Sequence, residues 1–86
     1  MKIIKLDKRY RYWHKGFTYA IRWSGYNYTR IEPYFIFMER HYGSEYLYEN
    51  LWCQGHGSIP KYGRRNYYLY VRDERMLTMA MLGVQN

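Results

Sequence analysis

The chain has 86 residues, a single cysteine and a formal net charge of +7, from 14 Lys/Arg against 7 Asp/Glu. That length supports one thin-cored domain burying roughly 60–65% of its unfolded surface, and the lone Cys53 excludes an intramolecular disulfide framework. No apolar run reaches the roughly 20 residues of a membrane span, and the charged start Met1–Asp7 does not read as an export signal, so the expectation is one cytoplasmic domain over 1–86 with no membrane partner.

In chain order, Arg9-Tyr10-Arg11-Tyr12-Trp13 is rich in strand-favouring rings. His14-Lys15-Gly16 is short enough to close a hairpin, with glycine supplying a positive φ. The clearest pattern follows in Phe17-Thr18-Tyr19-Ala20-Ile21-Arg22-Trp23. Phe17, Tyr19, Ile21 and Trp23 share one face and Thr18, Ala20 and Arg22 the other, which reads as a half-buried strand. Gly25 and Asn27 mark a loop. Pro33 can open a strand, so Tyr34-Phe35-Ile36-Phe37-Met38, apolar on both faces, is expected to be the central one.

Gly43 interrupts that pattern. Ser44 can cap a helix running to about Cys53, with Leu47/Leu51 and Tyr48/Trp52 at helical spacing, and a strand over Tyr46–Tyr48 is the alternative. Gln54 to Arg65 is loop by composition. Tyr67–Arg72 reads as a strand, and Asp73 as the cap of a helix from Glu74 to Leu82 stopped by Gly83. A hairpin turning at Asp73-Glu74 competes with that helix. The sum is a small α+β domain: four to five antiparallel strands with one or two short helices on one face.

The aromatic load is high: 13 Tyr, 3 Trp and 3 Phe. A thin core cannot hide so many rings, and rings among cations stack bases and neutralise phosphates. The charge is uneven along the chain. Lys2, Lys5, Lys8, Arg9, Arg11, Lys15, Arg22 and Arg30 face only Asp7 in the first third, whereas Glu32, Glu39, Glu45 and Glu49 outnumber Arg40 in the second. Such asymmetry points to a polyanion-facing side. The plainer alternative is solvated surface charge.

The expected hairpin carries the densest constellation. Lys8, Arg9, Arg11, Lys15 and Arg22 supply phosphate contacts, and Tyr12, Trp13, Phe17 and Tyr19 supply stacking rings. Lys61, Arg64 and Arg65 form a second basic group on the expected loop. The alternative for the hairpin is an ordinary amphipathic unit whose Phe17/Tyr19/Trp23 face is core.

Lys15-Gly16-Phe17-Thr18-Tyr19 partly resembles the ribonucleoprotein motif Lys-Gly-Phe-Gly-Phe, departing from it at Thr18. Its early position is similar to that in cold-shock domains, where the motif lies on the second strand of a small barrel. In that resemblance Tyr34-Phe35-Ile36-Phe37 stands for the second aromatic motif, without its histidine.

Catalytic signals are weak. Cys53 and His56 have the spacing of half a zinc site, with only His14 and His41 to complete it. Gly55-His56-Gly57-Ser58 lacks the lysine of a phosphate loop, and Glu45/Glu49 read as a solvated helix face. The expectation is a non-catalytic nucleic-acid-binding module without metal or cofactor, single strands favoured. The rival is a small protein-binding effector of phage- or virus-like type, anchored by Tyr, Trp and Met residues and supported by the tyrosines of the acidic middle, Tyr34, Tyr42, Tyr46 and Tyr48. Met76, Met79 and Met81 near the end read most simply as core filler, with a hydrophobic contact surface as the alternative. A nucleoprotein partner joins the two readings, and surplus rings make a homodimer an expectation to test.

Overall fold

The computed structural model describes residues 1–24, 28–43, 51–59 and 64–85. The chain forms β1 (Lys2–Lys5), a 3₁₀ turn (Arg11–Lys15), β2 (Tyr19–Ser24), α1 (Tyr28–Tyr42), β3 (Trp52–Ile59), β4 (Arg64–Val71) and α2 (Glu74–Gln85). The strands make one sheet in the order β1-β2-β4-β3, antiparallel at every pairing. This is the expected α+β arrangement, with both helices on one face.

The alternation in β2 does what its pattern demands. Tyr19, Ile21 and Trp23 point into the helix-covered core, and Ala20 lies on the other face. Its neighbour, however, is not Arg9–Trp13. Residues Lys2–Lys5 take that edge, with Ile3 opposite Ile21 and Ile4 opposite Ala20. Arg9–Trp13 has no clean two-residue alternation, and the chain there closes into the 3₁₀ turn that lowers Tyr12 onto the sheet. Gly16 ends the turn at φ 98°, its N–H donating to the Trp13 carbonyl at 3.0 Å. Phe17 precedes the strand and joins the opposite core cluster from Ile21 and Trp23.

The run 34–38 belongs to α1 and not to a central strand. Ile31, Tyr34, Phe35 and Met38 are buried at spacings of three, one and three, the stripe of a helix packed on a sheet. Pro33 lies inside this helix and cannot donate to the carbonyl four residues back, at a cost of about 3 kcal/mol. Burying Ile31, Phe35 and Met38, at roughly 1.5–3 kcal/mol each, exceeds that cost. Gly43, at φ 83°, stops the helix, its N–H donating to the Glu39 carbonyl at 3.0 Å.

The expected helix over 44–53 falls mostly outside the described residues, but its end is strand: Trp52 and Cys53 open β3. Gln54–Ile59 likewise pairs with β4 instead of forming a loop. Glycine has a reason here, because a Cβ on Gly55 would lie 2.6 Å from the Tyr70 ring. The strand expected over Tyr67–Arg72 is present as the later part of β4, which begins at Arg64 and ends at Val71. The Asp73 cap is present too, with Oδ1 accepting from the Met76 N–H at 2.9 Å. α2 runs through Gly83 to Gln85, because Gly83 serves as a flat seat for the Phe37 ring of α1 and does not terminate the helix.

Two clusters result. The larger joins Ile21, Trp23, Leu69, Val71 and Trp52 to both helices, with Trp52 Nε1–H donating to the Gly43 carbonyl at 2.8 Å. The smaller lies on the helix-free face and joins Leu6, Phe17, Ala20 and Tyr70. Among the described residues, no helix is long and apolar enough to cross a membrane.

Candidate functional site

The helix-free face has two rows that differ in cover. The pairing aligns Ile4, Ala20, Tyr70 and Cys53 across the four strands, and next to them Lys2, Arg22, Tyr68 and Gly55. The first row is roofed by residues 6–17, which pack Leu6, Tyr10, Tyr12 and Phe17 against it. In the second, Lys2 is exposed and Arg22 and Tyr68 are half-buried.

A ladder of rings connects the rows. Tyr68 stacks near Tyr70 at 5.6 Å between centroids and 13° between planes, and Tyr70 stacks on Tyr12 at 4.0 Å and 16°. Tyr12 meets Phe17 edge-on at 6.3 Å. Cations finish this end: Lys15 Nζ is 5.2 Å from the Tyr12 ring centre, and the Arg72 guanidinium is 4.9 Å from that of Phe17. Arg72 also donates to the Lys15 carbonyl at 3.0 Å, tying the 3₁₀ turn to the end of β4. Burial pushes the Tyr70 phenol well above its ordinary pKa, and the neighbouring Tyr12, Tyr68, Cys53 and Tyr10 push it the same way. The phenol is therefore neutral near neutrality.

The expected site residues divide accordingly. Lys8, Arg9, Arg11, Trp13 and Lys15 are exposed on the segment that roofs the first row, and Tyr12 is half-buried beneath them. Arg22 lies in the open row beside Tyr68. Phe17 is only 3% exposed and is core, so it offers no face for stacking. Tyr19 packs into the helix-side cluster, away from the others. These two positions depart from the ribonucleoprotein and cold-shock resemblance, as does the location of Tyr34–Phe37 on a helix. Arg64 and Arg65 were expected on a loop but open β4, paired with Ile59 and Ser58 in the ladder, while Lys61 lies outside the described residues.

Tyr68 and Lys2 were not singled out from the sequence. The signal for Tyr68 was present in β4, where Tyr67, Leu69 and Val71 alternate with Tyr68 and Tyr70, so one tyrosine pair had to face away from the helices. Lys2 needed the β1–β2 register. Among the described residues no group of three or more His, Cys, Asp or Glu side chains comes together as metal ligands would.

Charge divides between the layers. The exposed or half-exposed side chains Lys2, Lys8, Arg9, Arg11, Lys15 and Arg22 accompany Asp7 on the helix-free side. The helix side exposes Glu32, Glu39, Asp73 and Glu74 together with Lys5, Arg30, Arg40 and Arg75, an even balance. Positive potential is therefore concentrated on the side with the open ring row.

No family model, curated protein or solved structure matches this chain.

Proposed function

We propose that this protein is a non-catalytic module that binds single-stranded nucleic acid on the helix-free face of its sheet. The observation that carries the reading is the open row Lys2–Arg22–Tyr68, continuous with the Tyr70–Tyr12 stack and flanked by the cations of residues 8–15. Tyr68 has a partly exposed face for a base, and Arg22 and Lys2 lie one and two strands away along the same row, where a phosphate chain crossing the sheet meets them. A single strand suits a flat ring platform, because its bases can unstack and lie on tyrosine. A reducing intracellular compartment fits this reading, since Cys53 is not in a disulfide.

The test is fluorescence anisotropy with labelled single-stranded RNA and DNA at two salt concentrations. Affinity falls with a log–log slope of roughly −0.7 per phosphate engaged. Tyr68→Ala weakens binding about tenfold, the loss of one stacked base, and Arg22→Glu weakens all sequences alike. Affinity that ignores both salt and Tyr68→Ala removes the reading.

A second reading has its own observation. On the helix layer Ile36 is 45% exposed, Met79 47% and Leu82 56%. Apolar side chains on an outer surface suit a protein partner or a second copy of the chain. One stoichiometric protein partner retained after nuclease treatment and lost in Leu82→Asp supports it; recovery of nucleic acid alone rejects it.

A further inference from the structure

A cleft of about 390 Å³ lies between the turn Leu6–Arg9 and the Trp13 side chain. That is at the small end of ligand pockets. Its walls are joined by surface contacts, the Arg9 and Asp7 side chains being 78% and 46% exposed. The Asp7 carboxylate accepts from the Arg9 backbone N–H at 2.9 Å and from Arg9 Nε and Nη2 at 3.1 and 2.8 Å. His14 Nε2–H donates to the Lys8 carbonyl at 2.8 Å, and the Trp13 indole stands edge-on to His14 at 5.1 Å. Arg9 holds Asp7 below the usual carboxylate range, so the pair stays charged around neutrality.

This pairing uses one edge of the guanidinium and leaves the other. Nε and Nη2 are turned to Asp7, while Nη1, with the outer N–H of Nη2, makes no hydrogen bond among the described residues. Two parallel donors on one edge match two acceptors on one edge. Among unpaired bases guanine offers that through O6 and N7 and cytosine through N3 and O2, whereas adenine sets a donor beside its N7; of the two, the double ring of guanine covers more of an indole face. Trp13, 41% exposed, gives the cleft a flat apolar wall that a base fills and a bare phosphate does not.

Resting on the nucleic-acid reading above, we infer that this cleft takes an unpaired guanine, stacked on Trp13 and held at O6 and N7 by the Asp7-braced Arg9. The helix-free face then binds the strand without regard to sequence, and the cleft adds one position of base preference. Lys8, which also lines the cleft, faces the strand's phosphates.

The protein reports on this cleft by itself. Trp23 and Trp52 are 7% and 2% exposed, so Trp13 is the one tryptophan whose emission a stacked base can quench. The experiment titrates the full chain with UUGUU, UUAUU and UUGUU carrying deazaguanine without N7, reading tryptophan quenching and the anisotropy of a labelled strand together. UUGUU is expected to quench Trp13 and bind about tenfold tighter than UUAUU, with most of that preference lost on deletion of N7. Arg9→Lys keeps the charge but abolishes the preference; Trp13→Ala abolishes the quenching and lowers the affinity for UUGUU. Equal binding of UUGUU and UUAUU with Trp13 unquenched overturns the guanine cleft and leaves the sheet-face reading standing. No binding of any strand at low salt overturns both.

Discussion

Gly16 illustrates how one backbone position sets the geometry of the basic segment. Its φ of 98° is open to glycine and costly to other residues, and a Cβ there would collide with the Arg72 guanidinium. Gly16→Ala is expected to destabilise by about 1–2 kcal/mol from the backbone alone. It also displaces Arg72 from the Lys15 carbonyl, loosening the 3₁₀ turn. Thermal unfolding by circular dichroism reads this as a drop of about 4–8 °C per kcal/mol; an unchanged melting temperature contradicts the account. Tyr70 gives a prediction in pH. Its phenol titrates above the unfolded value of about 10. The neutral ring therefore contributes stability that is fully present below pH about 10 and declines as pH rises from there toward the folded pKa. Tyr70→Phe removes that titration, so the variant's stability falls less between pH about 9 and 11. Parallel denaturant titrations at the two pH values measure the difference, and identical slopes with pH reject it.

At the scale of elements, α2 depends on a local signal that chemical denaturation can isolate. Asp73→Ala removes the acceptor of the Met76 N–H and is expected to cost about 1 kcal/mol, with Asp73→Asn restoring most of it. That helix was legible because its cap and helix formers lie together in the sequence. β2 was legible in its two-residue alternation, and β4 only in its later part, since Arg64 and Arg65 at its start read as loop. α1 was not. Tyr34–Met38 is apolar at every position, so a five-residue window cannot separate strand from helix, and Pro33 points to a strand start. Only the longer span from Ile31 to Met38 carries the helical period. β3 was obscured by Gly55 and Gly57, whose composition reads as loop; Gly55 is there because the Tyr70 ring lies against the strand. The candidate site was half legible. Its cations and Tyr12 were visible as a cluster, but β1 replaces the expected partner of β2, so the face they share and the place of Tyr68 in it emerged only from the strand register.

The molecule as a whole separates its chemistry by layer. One side of the sheet spends its rings on a core with two helices, and those helices show carboxylates and arginines in near balance. The other side carries a thin aromatic cluster under a basic segment and, among the described residues, leaves Lys2 exposed and Arg22 and Tyr68 half-buried in the neighbouring row. That division predicts where a polyanion approaches, independently of which strand it is. Raising salt from low to physiological weakens binding, and Glu32→Gln or Glu39→Gln on α1 alters it little compared with Lys2→Gln or Lys15→Gln on the opposite side. Anisotropy at matched salt makes that comparison; equal effects from both layers contradict the division. The most direct measurement is an amide chemical-shift titration of the full chain with a short single-stranded RNA. The account predicts that perturbed residues cluster at Lys2–Ile4, residues 8–15, Arg22 and Tyr68, with α1 and α2 nearly still. Perturbations centred on Ile36, Met79 and Leu82, or none at any RNA concentration, would contradict it.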